Sequence, residues 1–255
     1  MTSVTRGCLG TLACISIFAA TTGAAANSIY RPLGLHPGDA YRLVFVTKGT
    51  RDALSSDIAD YNAFVTAGAK APTSVVRGLA ADWFAIGSTA DADAIENTGT
   101  DPSPLGQTGV PIYFVDGETR FADHYDNLWD GDSFGQPYLG HNMLTQDGVI
   151  PADQINNVWT GTDYYGIAGG IGGPLGSPAP SLGGSNGFNG RWINNNFRSL
   201  ASREMSLYGI SSVLVAVPEP SAATWLTASL VAFLSRRRWS RSRSLFLATA
   251  SGPGS

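Results

Sequence analysis

The amino-acid sequence predicts an α+β fold, with a small mixed or antiparallel sheet, one main helix and long glycine-rich loops. Three observations predict it. Residues 41–47 form a strongly apolar, strand-like segment, and a single helix-period segment follows in the first third of the chain. The remaining apolar segments are short and are separated by stretches rich in Gly, Pro and Asp.

The first strand and the helix are the best-defined elements. Residues 41–47 (YRLVFVT) have a continuous apolar centre, which predicts a strand in the middle of its sheet. Ser55 or Ser56 is expected to cap a helix that runs to about Ala69. Its apolar face comprises Ile58, Tyr61 and Val65, and Pro72 follows its end. Later β segments are predicted at 83–87, 110–115, 158–161, 191–193 and 207–217.

The connections carry two further predictions. Asp116 and Gly117 lie between two β segments and predict a two-residue hairpin turn of a primed type, since both residues tolerate positive φ. Residues 166–190 are rich in Gly and Pro and poor in apolar side chains, so we expect a flexible segment that does not pack. A single domain at 27–216 is expected, with a core that includes Trp83, Trp129, Trp159 and Trp192.

The first 26 residues predict a secretory signal peptide. MTSVTR is weakly positive, a short apolar run extends from Cys8 to Ala20, and the segment ends in three alanines before Asn27. We therefore expect export through the secretion machinery and cleavage by signal peptidase before Asn27. Cys8 and Cys14, the only cysteines in the sequence, would be removed with it.

The C-terminal region divides into three parts and a tail. Val217, Pro218, Glu219 and Pro220 form an extended tetrapeptide, because proline fixes its own φ and restricts the residue before it. An apolar helix is predicted at 222–234, and Arg236, Arg237 and Arg238 follow it, a charge that keeps this end cytoplasmic. Such a helix would be about 20 Å long against a hydrocarbon core of ~30 Å, which suits a temporary membrane handle better than a permanent anchor.

This order of motif, short helix and arginine cluster resembles the PEP-CTERM protein-sorting signal, here at 217–239. The resemblance implies recognition by an exosortase, a membrane cysteine transpeptidase, and passage through the inner membrane to the cell surface or extracellular matrix. The same region is also named the ice-binding protein C-terminal domain, a name that says nothing about ice binding. Unlike the family pattern, the chain continues through a tail at 240–255. We expect the mature protein to lose the helix by cleavage near 218–220.

The central region is similar to recurrent domains of planctomycete-type PEP-CTERM proteins. The matching segments are 43–65, 83–102, 110–118, 127–132, 158–163 and 206–220. More loosely, the pattern resembles C-type-lectin-like or DUF1554-like architectures, in which a helix packs on a small sheet and long loops follow. The sequence departs from lectins because it lacks their cysteines and their Glu-Pro-Asn and Trp-Asn-Asp tripeptides; Trp192-Ile193-Asn194 matches only in part.

Composition narrows the classes of function. Residues 27–219 contain ten Lys and Arg, twenty Asp and Glu, and no cysteine. This excludes a disulfide scaffold, a cysteine-ligated metal site and an electrostatic nucleic-acid binder. A domain with a net charge of -10 is also expected to repel acidic polymers unless divalent cations bridge them.

Two acidic loops are candidates for calcium binding. Asp126, Asp130 and Asp132, with Asp123 nearby, surround Trp129 and Gly131, and clustered aspartates supply the oxygen ligands that calcium prefers. The second loop contains Asp91, Asp93, Glu96 and Asp101. The spacing does not match an EF-hand, and a solvated acidic turn is the alternative in both cases.

Aromatic side chains beside short polar ones predict a sugar-binding surface, because a pyranose ring stacks on an aromatic face while amides and carboxylates bind its hydroxyls. The candidates are Trp129, Tyr164, Tyr165 and Asn194. Trp159 and Trp192 also lie beside polar residues, but we expect them to belong to the core. The first hypothesis is thus an exported, non-enzymatic protein that binds extracellular polysaccharide.

Two alternatives stay open, a structural or adhesive surface protein without a ligand and a glycan-active hydrolase using two carboxylates. Other catalytic patterns are weak. Residues 183–187 match G-x-S-x-G, but they lie in the glycine-rich segment rather than between a strand and a helix. The three histidines are scattered and form no metal-binding pair.

Overall fold

A computed structural model describes residues 31–102, 109–129, 143–151, 157–184 and 189–217. The strands are β1 (Ala40–Val46), β2 (Trp83–Ala85), β3 (Ile112–Phe114), β4 (Arg120–Ala122), β5 (Val158–Trp159), β6 (Ser181–Gly183), β7 (Phe197–Arg198), β8 (Ser206–Ser211) and β9 (Leu214–Val215). The helices are α1 (Ile58–Ala69), α2 (Ala94–Thr98) and α3 (Asp126–Trp129), with a 3-10 helix at Asn189–Trp192. The chain is therefore an α+β protein with few helices, as the sequence predicts.

The nine described strands form one mixed sheet. Its main path is β4-β3-β1-β8-β5-β6-β7, while β2 also pairs with β8 and β9 also pairs with β1. The β1–β3 and β5–β8 pairs are parallel, and the other pairs are antiparallel. The predicted central position of β1 is confirmed, since it pairs with β3 on one edge and with β8 and β9 on the other.

The core has two layers, one on each face of the sheet. Leu43 and Phe45 of β1 belong to a first cluster that also contains Tyr61 and Val65 of α1. Val44 and Val46 belong to a second cluster that contains Trp129 and Trp192. Because side chains alternate along a strand, the continuous apolar run of β1 supplies both layers. Trp159 and Trp192 are fully buried, which confirms that they are core residues.

Helix α1 ends at Ala69, as predicted, but its N-cap is Asp57 rather than Ser55 or Ser56. Asp57 Oδ1 accepts a hydrogen bond from the Ala59 backbone N–H at 2.9 Å. Ser55 Oγ instead accepts from the Asp57 N–H and donates to the Asp60 carboxylate. Two hydroxyls and a carboxylate compete for this position, and the residue nearest the first turn occupies it.

Two predicted strands need correction. Residues 191–193 are not a strand, because Arg191 and Trp192 belong to the 3-10 helix; they lie between Gly190 and three asparagines, which disfavour strands. The predicted strand at 207–217 divides into β8 and β9. Between the two strands, the Ser212 N–H donates to the Asp82 carbonyl, and Ser212 Oγ accepts from the Asp82 N–H.

The hairpin between β3 and β4 exists, but its turn is not the predicted two-residue type. Gly117 has φ +70°, whereas Asp116 is not among the described residues with positive φ. The Asp116 carboxylate accepts from the backbone N–H groups of Glu118 and Thr119 at 2.9 and 3.1 Å, which closes a longer connection.

The glycine-rich segment at 166–190 is packed in its described part, contrary to the prediction of a flexible loop. Leu175 and Leu182 are buried in the first core cluster. The Leu175 N–H donates to the Ser88 carbonyl at 2.8 Å, and the Gly176 N–H donates to the Ala53 carbonyl at 2.9 Å. A few apolar anchors with backbone hydrogen bonds order a segment that its composition alone describes as loop.

Within the described residues, no helix has the length and apolarity needed to cross a membrane. The predicted signal peptide at 1–26 and the predicted span at 222–234 lie outside these residues, as do Pro218, Glu219, Pro220 and Arg236, Arg237 and Arg238.

Candidate functional site

The segment at 163–172, here called the tyrosine loop, is held in a defined shape by two carboxylates. Asp163 Oδ1 accepts hydrogen bonds from the backbone N–H groups of Tyr165 and Ile167 at 2.8 and 3.1 Å. Asp93 Oδ1 accepts from the Ala168 N–H at 2.6 Å. These bonds fix the loop backbone without using the tyrosine side chains, so the loop presents them from a rigid base.

Trp129 lies beneath this loop and not on its surface. It is 4% exposed, and its indole N–H donates to Thr100 Oγ1 at 2.9 Å. Gly166 covers it, with φ +80°, and a Cβ at Gly166 would lie 2.1 Å from Ile95 and 2.8 Å from the Trp129 ring. The prediction of Trp129 as a sugar-stacking residue is therefore corrected, because its ring supports the tyrosine loop from inside the core.

Asn194 is also enclosed. It is 2% exposed, and its Oδ1 accepts from the Asn196 N–H at 3.1 Å. Gly170, with φ +91°, approaches so closely that a Cβ there would lie 2.5 Å from Asn194 Nδ2. Asn194 thus packs against the tyrosine loop and shapes the exposed turn at Asn196, which has φ +63°. Asn194 is therefore a positioning residue. The prediction that it faces solvent is wrong.

The structure nevertheless brings all four predicted binding residues into one region. Trp129 packs on Trp192 with ring centroids 6.0 Å apart, and Trp192 precedes Asn194 by two residues. Tyr164 is partly buried against the same core cluster. Tyr165 is 60% exposed and is the one predicted aromatic whose ring is largely open to solvent. These residues do not form the shared exposed surface that the sequence predicts, because Trp129 and Asn194 are buried and only Tyr165 is largely exposed.

Ile167, Ile171 and Arg198 also belong to this surface, although the sequence patterns did not indicate them. Ser181 Oγ donates to the Gly169 carbonyl at 2.7 Å and accepts from the Gly172 N–H at 3.0 Å, so the tyrosine loop covers the Ser181 face of the sheet. Arg198 pairs directly with Ser181, which places its side chain on that same face. Arg198 is exposed at the sheet edge. We call the surface formed by Tyr165, Ile167, Ile171 and Arg198 the loop face; the two isoleucines are exposed.

Phe197 marks the opposite face of the same edge. It pairs with Leu182, whose side chain belongs to the first core cluster, and successive side chains alternate between faces. Phe197 is 66% exposed. Phe197 therefore lies on the side of this edge opposite to Arg198 and the loop face.

A charge pattern could have revealed Arg198. Residues 164–203 contain three arginines and no acidic residue, whereas the rest of 27–219 contains seven Lys and Arg against twenty Asp and Glu. The net charge of the whole domain hides this contrast, since the basic segment is a fifth of its length.

Helix α2 supports the tyrosine loop through Asp93 and Ile95, and a buried cation holds its C-terminal end. Arg42 Nη1 donates to the Thr98 carbonyl at 2.5 Å, and Nη2 donates to the Gly99 carbonyl at 3.4 Å. The guanidinium lies 5.2 Å from the centroid of the Tyr125 ring. Burial lowers the pKa of Arg42, while the nearby Tyr125 raises it. Arginine nonetheless stays charged at neutral pH, so it stabilises the last carbonyls of this short helix.

Two aspartates of the first acidic loop lie beside basic side chains. Asp123 pairs with Arg120 at 2.7 Å, and Asp126 Oδ2 lies 3.5 Å from His124 Nδ1. Asp130 and Asp132 lie outside the described residues, so calcium at Asp126, Asp130 and Asp132 stays a prediction.

The second acidic loop is different because it is wholly described. Within the described residues, no group of three or more His, Cys, Asp or Glu side chains could hold a metal ion. In this structure Asp91, Asp93, Glu96 and Asp101 are therefore not arranged as a metal site. Asp93 instead uses its carboxylate to hold the tyrosine loop.

Comparison with known proteins assigns no family. No protein-family model matches the chain, and it has no significant sequence match among curated proteins. What the fold and the candidate site define is an α+β domain with a rigid, exposed loop face over a tryptophan-rich core.

Proposed function

We propose that the chain is an exported surface or extracellular-matrix protein whose α+β domain binds polysaccharide through the loop face. The observation that carries the proposal is the exposed Tyr165 ring on a backbone fixed by Asp163 and underlain by Trp129. A rigid aromatic suits sugar recognition because little conformational entropy is lost when the ring stacks on a pyranose. The exposed Asn196 offers an amide, and its backbone N–H donates to Asn194, which packs against Gly170 of the tyrosine loop.

The proposed route to the surface depends on the two ends of the sequence. The signal peptide at 1–26 would direct export, and the PEP-CTERM signal at 217–239 would present the protein to an exosortase-type transpeptidase. The helix at 222–234 would hold the chain in the inner membrane until cleavage. We propose no catalytic role for the domain and no nucleic-acid partner.

We further propose a C-type-lectin-like arrangement for the domain. Three features of the described residues support it: the first strand β1 pairs antiparallel with the last strands β8 and β9, α1 is the next element after β1, and a long loop at 160–180 lies between β5 and β6. The domain lacks the cysteines that stabilise lectins. Its two-layered core would supply that stability instead, through fully buried side chains such as Trp159, Trp192 and Tyr208.

The test is binding of the exported domain to a glycan array and to the polysaccharide of the producing cells. Tyr165→Ala should weaken binding about five- to tenfold, the loss expected for one aromatic contact. Phe197→Ala is the matched control, because it removes an equally exposed aromatic from the opposite face. Equal losses in the two variants, or no binding by the parent domain, would contradict the proposal. Turnover of a glycan would favour a hydrolase instead.

A second candidate function is adhesion without a small ligand. It is favoured by Phe197 and Leu200, two exposed apolar side chains on or beside the edge strand β7. An exposed strand edge can pair with another chain. Sedimentation at increasing protein concentration tests this candidate: self-association that Phe197→Ala abolishes, together with an absence of glycan binding, would support it.

A further inference from the structure

The loop face is the acid-poor part of an acidic domain. Its chain segment, 164–203, carries Arg191, Arg198 and Arg203 and no carboxylate. Two carboxylates contact the tyrosine loop, those of Asp93 and Asp163, and both accept hydrogen bonds from backbone N–H groups. The chain segment that carries the exposed Tyr165 thus also carries positive charge and no carboxylate, while the acidic residues lie in other parts of the sequence.

Arg191 and Arg198 lie near the two ends of one short strand pair. Arg198 pairs with Ser181 in β6, and the carbonyl of Arg191 accepts from the N–H of Gly184. Ser181 and Gly184 are three residues apart, so the two arginine backbones are separated by about 10 Å along the strand. Both residues are exposed, and in the described part of the chain neither guanidinium has a carboxylate partner.

We infer that the ligand of the loop face is an anionic polysaccharide, with carboxylate or sulfate groups that pair with Arg198 and Arg191 while a sugar ring stacks on Tyr165. The inference rests on the proposed function and specifies its substrate class. Guanidinium groups bind carboxylates and sulfates through paired N–H donors, and a free exposed guanidinium gives up only water when it does so.

The overall charge of -10 does not oppose this inference. At physiological ionic strength, charges separated by more than about 8 Å are largely screened, so a bound polymer senses mainly the groups it touches. Within the described residues, Arg198 of the loop face and Arg191 have no carboxylate partner, and the carboxylates of Asp163 and Asp93 that hold the tyrosine loop already accept from backbone N–H groups. The expectation from composition, that acidic polymers are repelled unless cations bridge them, therefore applies to the rest of the surface.

The experiment measures binding of the exported domain to a soluble polyuronate, to neutral dextran and to a single-stranded oligodeoxynucleotide, with a chelator present to prevent cation bridging. The domain should bind polyuronate more tightly than dextran, and added salt should weaken that binding. Arg198→Gln should weaken it about fivefold, and the double variant with Arg191→Gln about tenfold or more.

Arg77→Gln is the matched control, because Arg77 is exposed and follows α1, away from the loop face, and its loss changes the net charge equally. It should change the affinity by less than about twofold. Thermal melts of all variants should coincide, since the replaced side chains are exposed.

The outcomes separate this inference from the proposed function. Equal binding of dextran and polyuronate, weakened by Tyr165→Ala but not by Arg198→Gln, would overturn the anionic assignment and leave polysaccharide binding standing. Binding of polyuronate only when calcium replaces the chelator would also overturn it, as would equally tight binding of the oligonucleotide. Failure to bind any polysaccharide would overturn both.

Discussion

The Tyr61 hydroxyl is an ionisable group whose environment differs sharply from water. It donates to the Ser55 carbonyl at 2.7 Å, and the Arg51 guanidinium lies 4.3 Å from the ring centroid. Burial raises the pKa of Tyr61 to about 12, although the positive charge of Arg51 acts in the opposite direction. In the unfolded chain the same phenol should titrate near its ordinary value of about 10.

This difference predicts a loss of stability at alkaline pH. Between pH 10 and about 12 the unfolded chain releases a proton that folded Tyr61 retains, so the free energy of unfolding falls as pH rises. Below pH 10 the phenol is protonated in both states and has no effect. Denaturant titrations across this range should show a smaller decline for Tyr61→Phe than for the parent. The decline should persist in part, because burial also raises the pKa of Tyr208. Parallel curves for the two proteins would contradict the prediction.

Individual side chains also mark the limit of what the sequence predicts about the site. Local composition points to Trp129, Tyr164, Tyr165 and Asn194, and the structure packs Trp129 and Asn194 against the loop that carries the two tyrosines. It does not indicate which ring faces solvent. That depends on the turn closed by Asp163 and on the approach of Gly166 to Trp129, and both are set by tertiary contacts.

Among the elements, α1 is best predicted and its cap gives a clear test. Asp57→Ala should destabilise the domain by about 1 kcal/mol, because the Ala59 N–H loses its acceptor and the first turn loses a negative charge. Asp57→Asn is the control, since asparagine also caps helices and should recover most of the loss. Chemical denaturation measures both variants. An Ala variant as stable as the Asn variant would show that Ser55 can replace the cap.

The short strands are predicted less well than α1, for a physical reason. β5, β7 and β9 contain two residues each, too few for a periodic pattern. Their partners are far away in sequence: β5 lies beside β8, and β9 lies beside β1. Such strands exist because the sheet supplies hydrogen-bond partners, so their bounds follow from the fold. β1 is long and apolar enough to be recognised without that information.

At the scale of the whole molecule, sequence composition gives a net charge but not its distribution. The twenty acidic residues and the basic segment at 164–203 are both visible in the sequence. Only the sheet register places Arg198 on the same face as the tyrosine loop, and Phe197 on the other. The fold therefore converts a run of residues without carboxylates into a surface that differs chemically from its surroundings.

The way the chain leaves the sheet gives the last prediction. Ala216 is buried; its carbonyl accepts from the Gly38 N–H and its N–H donates to the Asp39 carbonyl, both at 2.8 Å, whereas Val217 is exposed. The predicted sorting motif thus begins at the first residue beyond these bonds. Removal of residues 218–255 should leave the unfolding midpoint of the domain unchanged, as expected if cleavage near 218–220 releases a stable mature protein.

A longer truncation tests the same boundary from inside. Removal of everything after Ser211 deletes β9, the buried Ala216 and its backbone bonds, and should cost about 3 kcal/mol. Thermal unfolding of the two truncated proteins beside the untruncated chain measures both effects. Mass spectrometry of the intact native extracellular protein then shows at which residue processing occurs. A mass that still includes Arg236 to Arg243 would contradict cleavage, and a destabilised 218–255 truncation would show that the fold extends beyond Val217.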